Sequence, residues 1–172
     1  MNNNIFAYLN TKPQIHKDTF IAPTASIIGN VSIGKNCSVW FNCVIRGDVE
    51  QITIDNYTNI QDGTVIHVTR NGSPTKIGSY VTVGHKALIH ACTIEDLSFI
   101  GMGSIIMDKA IIEEGGWVAA GALITPGKVV RKNEIWAGNP AKLLRHTTKQ
   151  EQEYIKISAQ NYANHIQEYQ NI

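Results

Sequence analysis

The sequence predicts an all-β solenoid, a parallel prism of about seven triangular coils followed by a C-terminal α-helix. Three observations predict it. The apolar share of the 172 residues is an ordinary 43%, but it is divided as 25 Ile and 11 Val against 6 Leu. β-Branched side chains lose χ1 freedom against a preceding helical turn and pack well on a pleated surface, so the excess points to short strands. The isoleucines also recur on a period of six, and a column of small residues follows them at a fixed offset.

Taken in order, the large apolar residues are Ile15, Ile21, Ile27, Ile33, Val39 and Ile45, then Ile54, Ile60 and Ile66. They resume at Ile77, Val83 and Ile89, and run on through Ile94, Ile100, Ile106, Ile112, Val118, Ile124, Val130 and Trp136. Of these 20 positions, 19 are Ile or Val, where chance would fill about four. Four residues after most of them stands a mostly small side chain: Thr19, Ala25, Val31, Cys37, Cys43, Thr58, Thr64, Val81, Ala87, Thr93, Ser98, Ser104, Ala110, Gly116, Ala122. The next position after the leader is often Gly or Ala, as in Gly34, Gly78, Gly84, Gly101 and Ala119. One large inward residue, one small corner residue and one small inward residue describe one face of a triangular prism. Three hexads make a coil, and about 20 hexads make a prism about 33 Å tall. Cys37 and Cys43 are then small buried members of the column. The period leaves the hand of the coil open.

Character changes near residue 147. Thr148-Lys149-Gln150-Glu151 fits a capping box, and Ile155, Ala159, Tyr162, Ile166 and Tyr169 form one apolar helical stripe. The expected organisation is a β-helix domain over 1–146 and a helix over 147–172 that packs on the prism or on a neighbour. Trp136-Ala137-Gly138-Asn139-Pro140-Ala141 reads as the turn out of the last coil.

Composition excludes several function classes. With 15 Lys+Arg against 14 Asp+Glu, the chain has no electrostatic footprint for nucleic acid or an acidic membrane. No apolar run approaches the ~20 residues that span a bilayer. Met1–Tyr8 lacks a basic n-region and an apolar h-region, so no signal peptide is expected. Three cysteines make no disulfide framework. Together these predict a cytoplasmic protein. Only 17% of residues are charged, which suggests surface covered by a partner subunit.

The repeat is broken three times. Ile45 to Ile54 takes nine residues, Ile66 to Ile77 takes eleven and Ile89 to Ile94 takes five. Near these breaks lie Arg46, Asp48, Gln61, Asp62, His67, His85 and His90. If the eleven-residue step is one hexad plus a bulge at Asn71-Gly72-Ser73-Pro74, then Ile66 and Ile89 stack directly. His67 and His90 then stack too, on one face and close enough to share a metal. His85 lies one hexad earlier and projects from another face, where only a threefold neighbour can bring it to the same ion. Three neutral imidazoles with an open position describe a catalytic Zn2+ site, and Fe2+ or Co2+ also fit. His16, His146 and His165 have no such geometry and read as surface residues.

The segments Ile45-Arg46-Gly47-Asp48, Asn59-Ile60-Gln61-Asp62-Gly63-Thr64, His67, Val83-Gly84-His85 and Ile89-His90 resemble the gamma-class carbonic anhydrase-like family of hexapeptide-repeat proteins. The resemblance runs from about Ile15 to Arg145. It implies a homotrimer of left-handed parallel β-helices with interfacial metals held by His67, His85 and His90. It also implies reversible hydration of CO2 to bicarbonate by a metal-bound hydroxide. By the same resemblance, Arg46 and Asp48 match an interface ion pair, Gln61 a substrate-orienting amide, and Asp62 a fixed hydrogen-bond acceptor. Tyr162 matches a tail tyrosine that reaches the site. Two departures stand out. The best-studied members carry a long acidic loop with a proton-shuttling glutamate where this chain has only Thr69–Pro74, and a glutamate where it has Val49. Slow or absent hydration follows. The alternatives are a hexapeptide-repeat acyltransferase, an acyl-CoA thioesterase and a non-catalytic trimeric accessory protein.

Overall fold

The computed structural model describes residues 4–169 and is a parallel β-solenoid of about seven turns with one C-terminal helix, matching the left-handed β-helix. Every inward leader falls on one of three vertical columns. The first runs Ile15, Ile33, Ile54, Ile77, Ile94, Ile112, Val130. The second runs Ile21, Val39, Ile60, Val83, Ile100, Val118, Trp136. The third runs Ile27, Ile45, Ile66, Ile89, Ile106, Ile124. Ile5 extends this third column downward by pairing with Ile27, a strand hidden from the six-residue count by the irregular step to Ile15. Stacked isoleucines fill the axis as one core in which nearly all leaders are buried.

The small-residue column lies inward as expected, with two corrections, the first being Thr19, which is half-exposed in the first coil. Thr93 is half-exposed, and Cys92 takes the buried place instead. The shortened step removes one corner residue, so the inward position is counted back from Ile94 rather than forward from Ile89. Burial pushes the thiols of Cys37, Cys43 and Cys92 up to about 12, 11 and 12. All three are therefore expected to resist a thiol reagent at pH 8 in the native protein and to react together on unfolding, which a colorimetric thiol titration checks.

Corners turn through left-handed backbone. Asn36, Tyr57, Tyr80, Leu97 and Asn133 occupy one of them at φ between 54 and 60°. The strain is offset because the turn amides bond the coil below, as in Tyr57 N–H to Lys35 O at 3.0 Å and Leu97 N–H to Ser79 O at 2.9 Å. Gly101 is a glycine for lack of space: a Cβ there would lie 2.4 Å from the Ala120 nitrogen.

The breaks distort corners, not the core. The nine-residue step is one long strand, Val44–Ile54, that rounds a corner. Gly47 pairs with Gly29 and Ile52 with Val31, so four residues, Asp48 to Gln51, oppose Asn30 alone. The eleven-residue step bulges between strands Val65–His67 and Thr75–Ile77.

The last coil does not simply turn out. Glu134–Gly138 pairs antiparallel with Ala141–His146, a return strand that the sequence pattern missed because Lys142 to Arg145 has no inward-outward alternation. Helix α1, Lys149–His165, follows with the expected capping box on Thr148 and Glu151. It lies on its own prism, burying Ile155 and Ala159 and setting Tyr162 edge-on to Trp40 at 5.7 Å, and the 3-10 turn Ile166–Tyr169 that follows buries Ile166. No helix among the described residues is long and apolar enough to cross a membrane.

Hydrogen bonds from Arg145 and then from the Thr148 backbone hold the Glu151 carboxyl at about 2, below its usual 4.5. A depressed carboxyl stabilises the folded state above its unfolded pKa and loses that contribution as pH falls through the folded one. The start of α1 is thus expected to loosen between pH 4.5 and 2, and Glu151→Gln to remove that acid transition, as followed by amide exchange of residues 149–153.

Candidate metal centre

Four successive coils bring four side chains to one corner. Asp48, His67, His90 and Asp108 stand above one another because Ile45, Ile66, Ile89 and Ile106 stack in register and each of the four follows its leader by one to three residues. Asp48 Oδ1 lies 3.0 Å from His67 Nε2, and His90 Nδ1 lies 2.9 Å from Asp108 Oδ2. Between them His67 Nδ1 faces His90 Nε2 at 3.3 Å.

The order carboxylate, imidazole, imidazole, carboxylate fixes the chemistry. A carboxylate accepts, so each outer nitrogen carries the proton and each inner nitrogen is a bare lone pair. Two lone pairs then face each other. A tetrahedral Zn2+ with N bonds of 2.0–2.1 Å has ligand nitrogens about 3.3–3.4 Å apart. The observed spacing matches it, so these residues fit a metal.

Further contacts brace the stack. Arg46 pairs with the second oxygen of Asp48, and Thr69 donates its hydroxyl to Asp108. Burial alone would raise the Asp48 carboxyl, but hydrogen bonds from His67 and Arg46 outweigh it and hold it below its ordinary value. Asp108 is lowered likewise, its burial outweighed by Thr69 and His90. Asp108 and Thr69 were missed in the sequence. The signal was present for Asp108, since Ile106 stacks on Ile89 and puts its corner directly over that of His90.

His85 stands at a different corner, with Asp62 one coil below it. Asp62 Oδ2 lies 2.8 Å from His85 Nδ1, and Asp62 Oδ1 accepts from the Phe41 amide at 3.2 Å. His85 Nε2 is thereby left as the bare nitrogen. Beside this corner Gln61 is buried, and its Nε2 donates to Asn59 Oδ1 at 3.1 Å. Tyr162 reaches the same region from α1: burial, then the charge of Asp62, raises its phenol above the ordinary value.

One chain thus gathers two clusters: Arg46, Asp48, His67 and His90 at one corner, and Gln61, Asp62, His85 and Tyr162 at the other. Among the described residues, no three His, Cys, Asp or Glu side chains of one chain are grouped to hold an ion. His16, His146 and His165 are exposed. The face between the two corners presents Val44, Val65, Leu88, Ile105 and Leu123 outward, an aliphatic column that no helix among the described residues covers. The face bearing Phe20, Asn59, Thr82 and Phe99 lies under α1 instead.

The chain matches the family model described as bacterial transferase hexapeptide (six repeats) over residues 12–47. It is 48% identical over 157 residues to mitochondrial gamma carbonic anhydrase 2 of Arabidopsis thaliana, covering 88% of this chain and 56% of the plant protein. The chain therefore spans little more than half the length of that relative. A carbonic anhydrase of Geobacillus kaustophilus is 40% identical over 145 residues, covering 84% of this chain and 79% of the relative. A crystal structure from Anaplasma phagocytophilum, described as a hexapeptide transferase family protein, is 47% identical with a TM-score of 0.95, covering 98% of this chain and 99% of that one. With its coil register and these relatives, the chain belongs to the gamma-class carbonic anhydrase-like family of hexapeptide-repeat proteins.

Proposed function

We propose that this protein is a homotrimeric, metal-dependent lyase of the carbonic anhydrase type, acting reversibly on CO2 and bicarbonate at sites between subunits. The observation that carries the reading is the pair of bare nitrogens, His67 Nδ1 and His90 Nε2, held 3.3 Å apart with carboxylates behind both. His85 of the partner subunit supplies the third imidazole. The aliphatic face between the half-sites supports a threefold contact, since an uncovered apolar column of this length marks an interaction surface.

His67, His90 and the partner's His85 would hold zinc, with ferrous iron or cobalt as the alternatives, and such an ion would supply the Lewis acidity that makes water nucleophilic near neutral pH. The chain's own groups do the rest. Asp48, Asp62 and Asp108 fix the tautomers of the three imidazoles. Gln61 presents its amide to orient CO2, Tyr162 closes the rim as a neutral phenol, and Arg46 holds Asp48 at the corner. The cytoplasm, where free thiols persist, suits the three unpaired cysteines.

Proton departure is the slow step. Val49 packs on the core, and the short loop after His67 offers no acidic side chain. The turnover number is expected to rise several-fold as imidazole buffer goes from about 1 to 50 mM, with kcat/KM unchanged, because buffer replaces the absent relay.

The deciding experiment loads the protein with Zn2+, Fe2+ or Co2+ and measures oligomeric state, metal content and CO2 hydration, with His85→Ala as control and acyl-CoA hydrolysis in parallel. Hydration that needs both metal and His85 supports the reading. A folded, metal-free monomer, or hydration indifferent to His85, sinks it. Acyl-CoA turnover without hydration favours the transferase description carried by the Anaplasma relative.

A further inference from the structure

We propose that Ser158, on the helix α1, is a positioning residue for the site, acting through Thr82 and Asn59 on the side-chain amide of Gln61. What Gln61 does for substrate rests on the carbonic anhydrase-type reading above. How Gln61 is held rests on the geometry alone.

Four polar side chains lie in line between the prism and the helix. Gln61 Nε2 donates to Asn59 Oδ1 at 3.1 Å, Asn59 Nδ2 donates to Thr82 Oγ1 at 3.0 Å, and Thr82 Oγ1 meets Ser158 Oγ at 3.2 Å. Their exposures are 6%, 1%, 1% and 8%, so water does not supply alternative partners. A run of buried polar groups on a face whose other outward residues include Phe20, Phe99 and Trp117 is costly unless each member is satisfied. Ser158 is also a poorer helix residue than Ala, so its hydroxyl weakens α1 unless it serves this line.

The polarity of the line decides what faces the site. The Val81 carbonyl, 3.4 Å from Asn59 Nδ2, can only accept, and it marks that end of the amide as the donor. Asn59 Oδ1 therefore points at Gln61, takes one of its N–H bonds and leaves Gln61 Oε1 directed away from the line. Thr82 Oγ1 accepts from Asn59 in this order, which leaves its own hydroxyl proton for Ser158 Oγ, the partner 3.2 Å away. Without the Ser158 hydroxyl, Thr82 is free to turn its proton toward Asn59. The Val81 carbonyl then holds the order of the amide alone, through a single 3.4 Å contact, and the Asn59 and Gln61 amides lose the fixed orientation that the Thr82 bond gave them. The helix thus steadies the orientation of the Gln61 amide, two residues on from Asn59 and beside the Asp62–His85 pair.

The test compares Ser158→Ala and Ser158→Thr in the full-length, metal-loaded protein, with Thr82→Val as a second variant that breaks the line from the prism side. Ser158→Ala is expected to keep helix content, oligomeric state and metal content. The side-chain amide resonances of Asn59 and Gln61 are expected to shift in both breaking variants and to return in Ser158→Thr. Turnover of CO2 is expected to fall about threefold to tenfold with little change in KM, as for loss of one hydrogen bond. Amide resonances that stay put in both breaking variants overturn the proposal, as does a Ser158→Thr protein that restores neither signal. Because the amides are read without turnover, an inactive wild-type protein refutes the carbonic anhydrase-type reading while leaving the relay to be judged on its own signal.

Discussion

Proteins carrying His85→Ala and His90→Ala are each expected to lose hydration by about two orders of magnitude or more, and to regain it when mixed as unfolded chains and refolded together. The His85→Ala chain keeps an intact His67–His90 corner, and the His90→Ala chain keeps an intact His85. Wherever the first abuts the second in the right order, a complete ligand set forms. Random mixing at equal amounts makes about one quarter of the interfaces complete, so about one quarter of wild-type activity and metal content should return. The internal control is a mixture of His67→Ala with His90→Ala. Both lesions sit in the same half-site, 3.3 Å apart, so no arrangement of those chains repairs it and no activity should return. Recovery in the control mixture, or none in the first, is incompatible with a site shared between subunits.

The second large effect concerns the column beneath the histidines. Ile89 is fully buried, pairs with Ile66 below and Ile106 above, and belongs to the three-residue strand that ends in His90. Ile89→Ala is expected to cost 2–5 kcal/mol in denaturant unfolding, a large part of the stability of a domain of this size. It should also weaken metal binding, because the strand that aims His90 loses its inward anchor. Ile112→Ala supplies the comparison. That residue is equally buried but stands in the column between Ile94 and Val130, away from both half-sites. A similar stability loss with metal affinity retained separates a local effect on the site from a general loosening of the prism.

These expectations also show how much was legible in the residues. The coil map came through whole: each of the 20 leaders stacks in the column that a six-residue step assigns it, and the stacking of His67 on His90 followed from counting alone. Such counting works because a solenoid is nearly one-dimensional, with each hexad contacting only the hexads one coil away. It failed where the chain left that regime. The inward place of Cys92 was lost at a shortened corner, Ile5 at an irregular entry, and the return strand Ala141–His146 after the last coil, where antiparallel pairing obeys no hexad register.

The sequence by itself determined the prism, the three columns, the capping box and the stacking of His67 on His90, because all of these depend on side-chain size and spacing along a regular path. Only the tertiary structure decided the orientation of each group. It set which imidazole nitrogen each carboxylate holds, that Asp108 joins the stack from a coil above, that α1 lies on its own prism, and that Ser158 meets Thr82 across 76 residues. Hydrogen-bond polarity depends on angles and partners brought together from separate coils, and a repeat count carries distance along the chain but no direction in space.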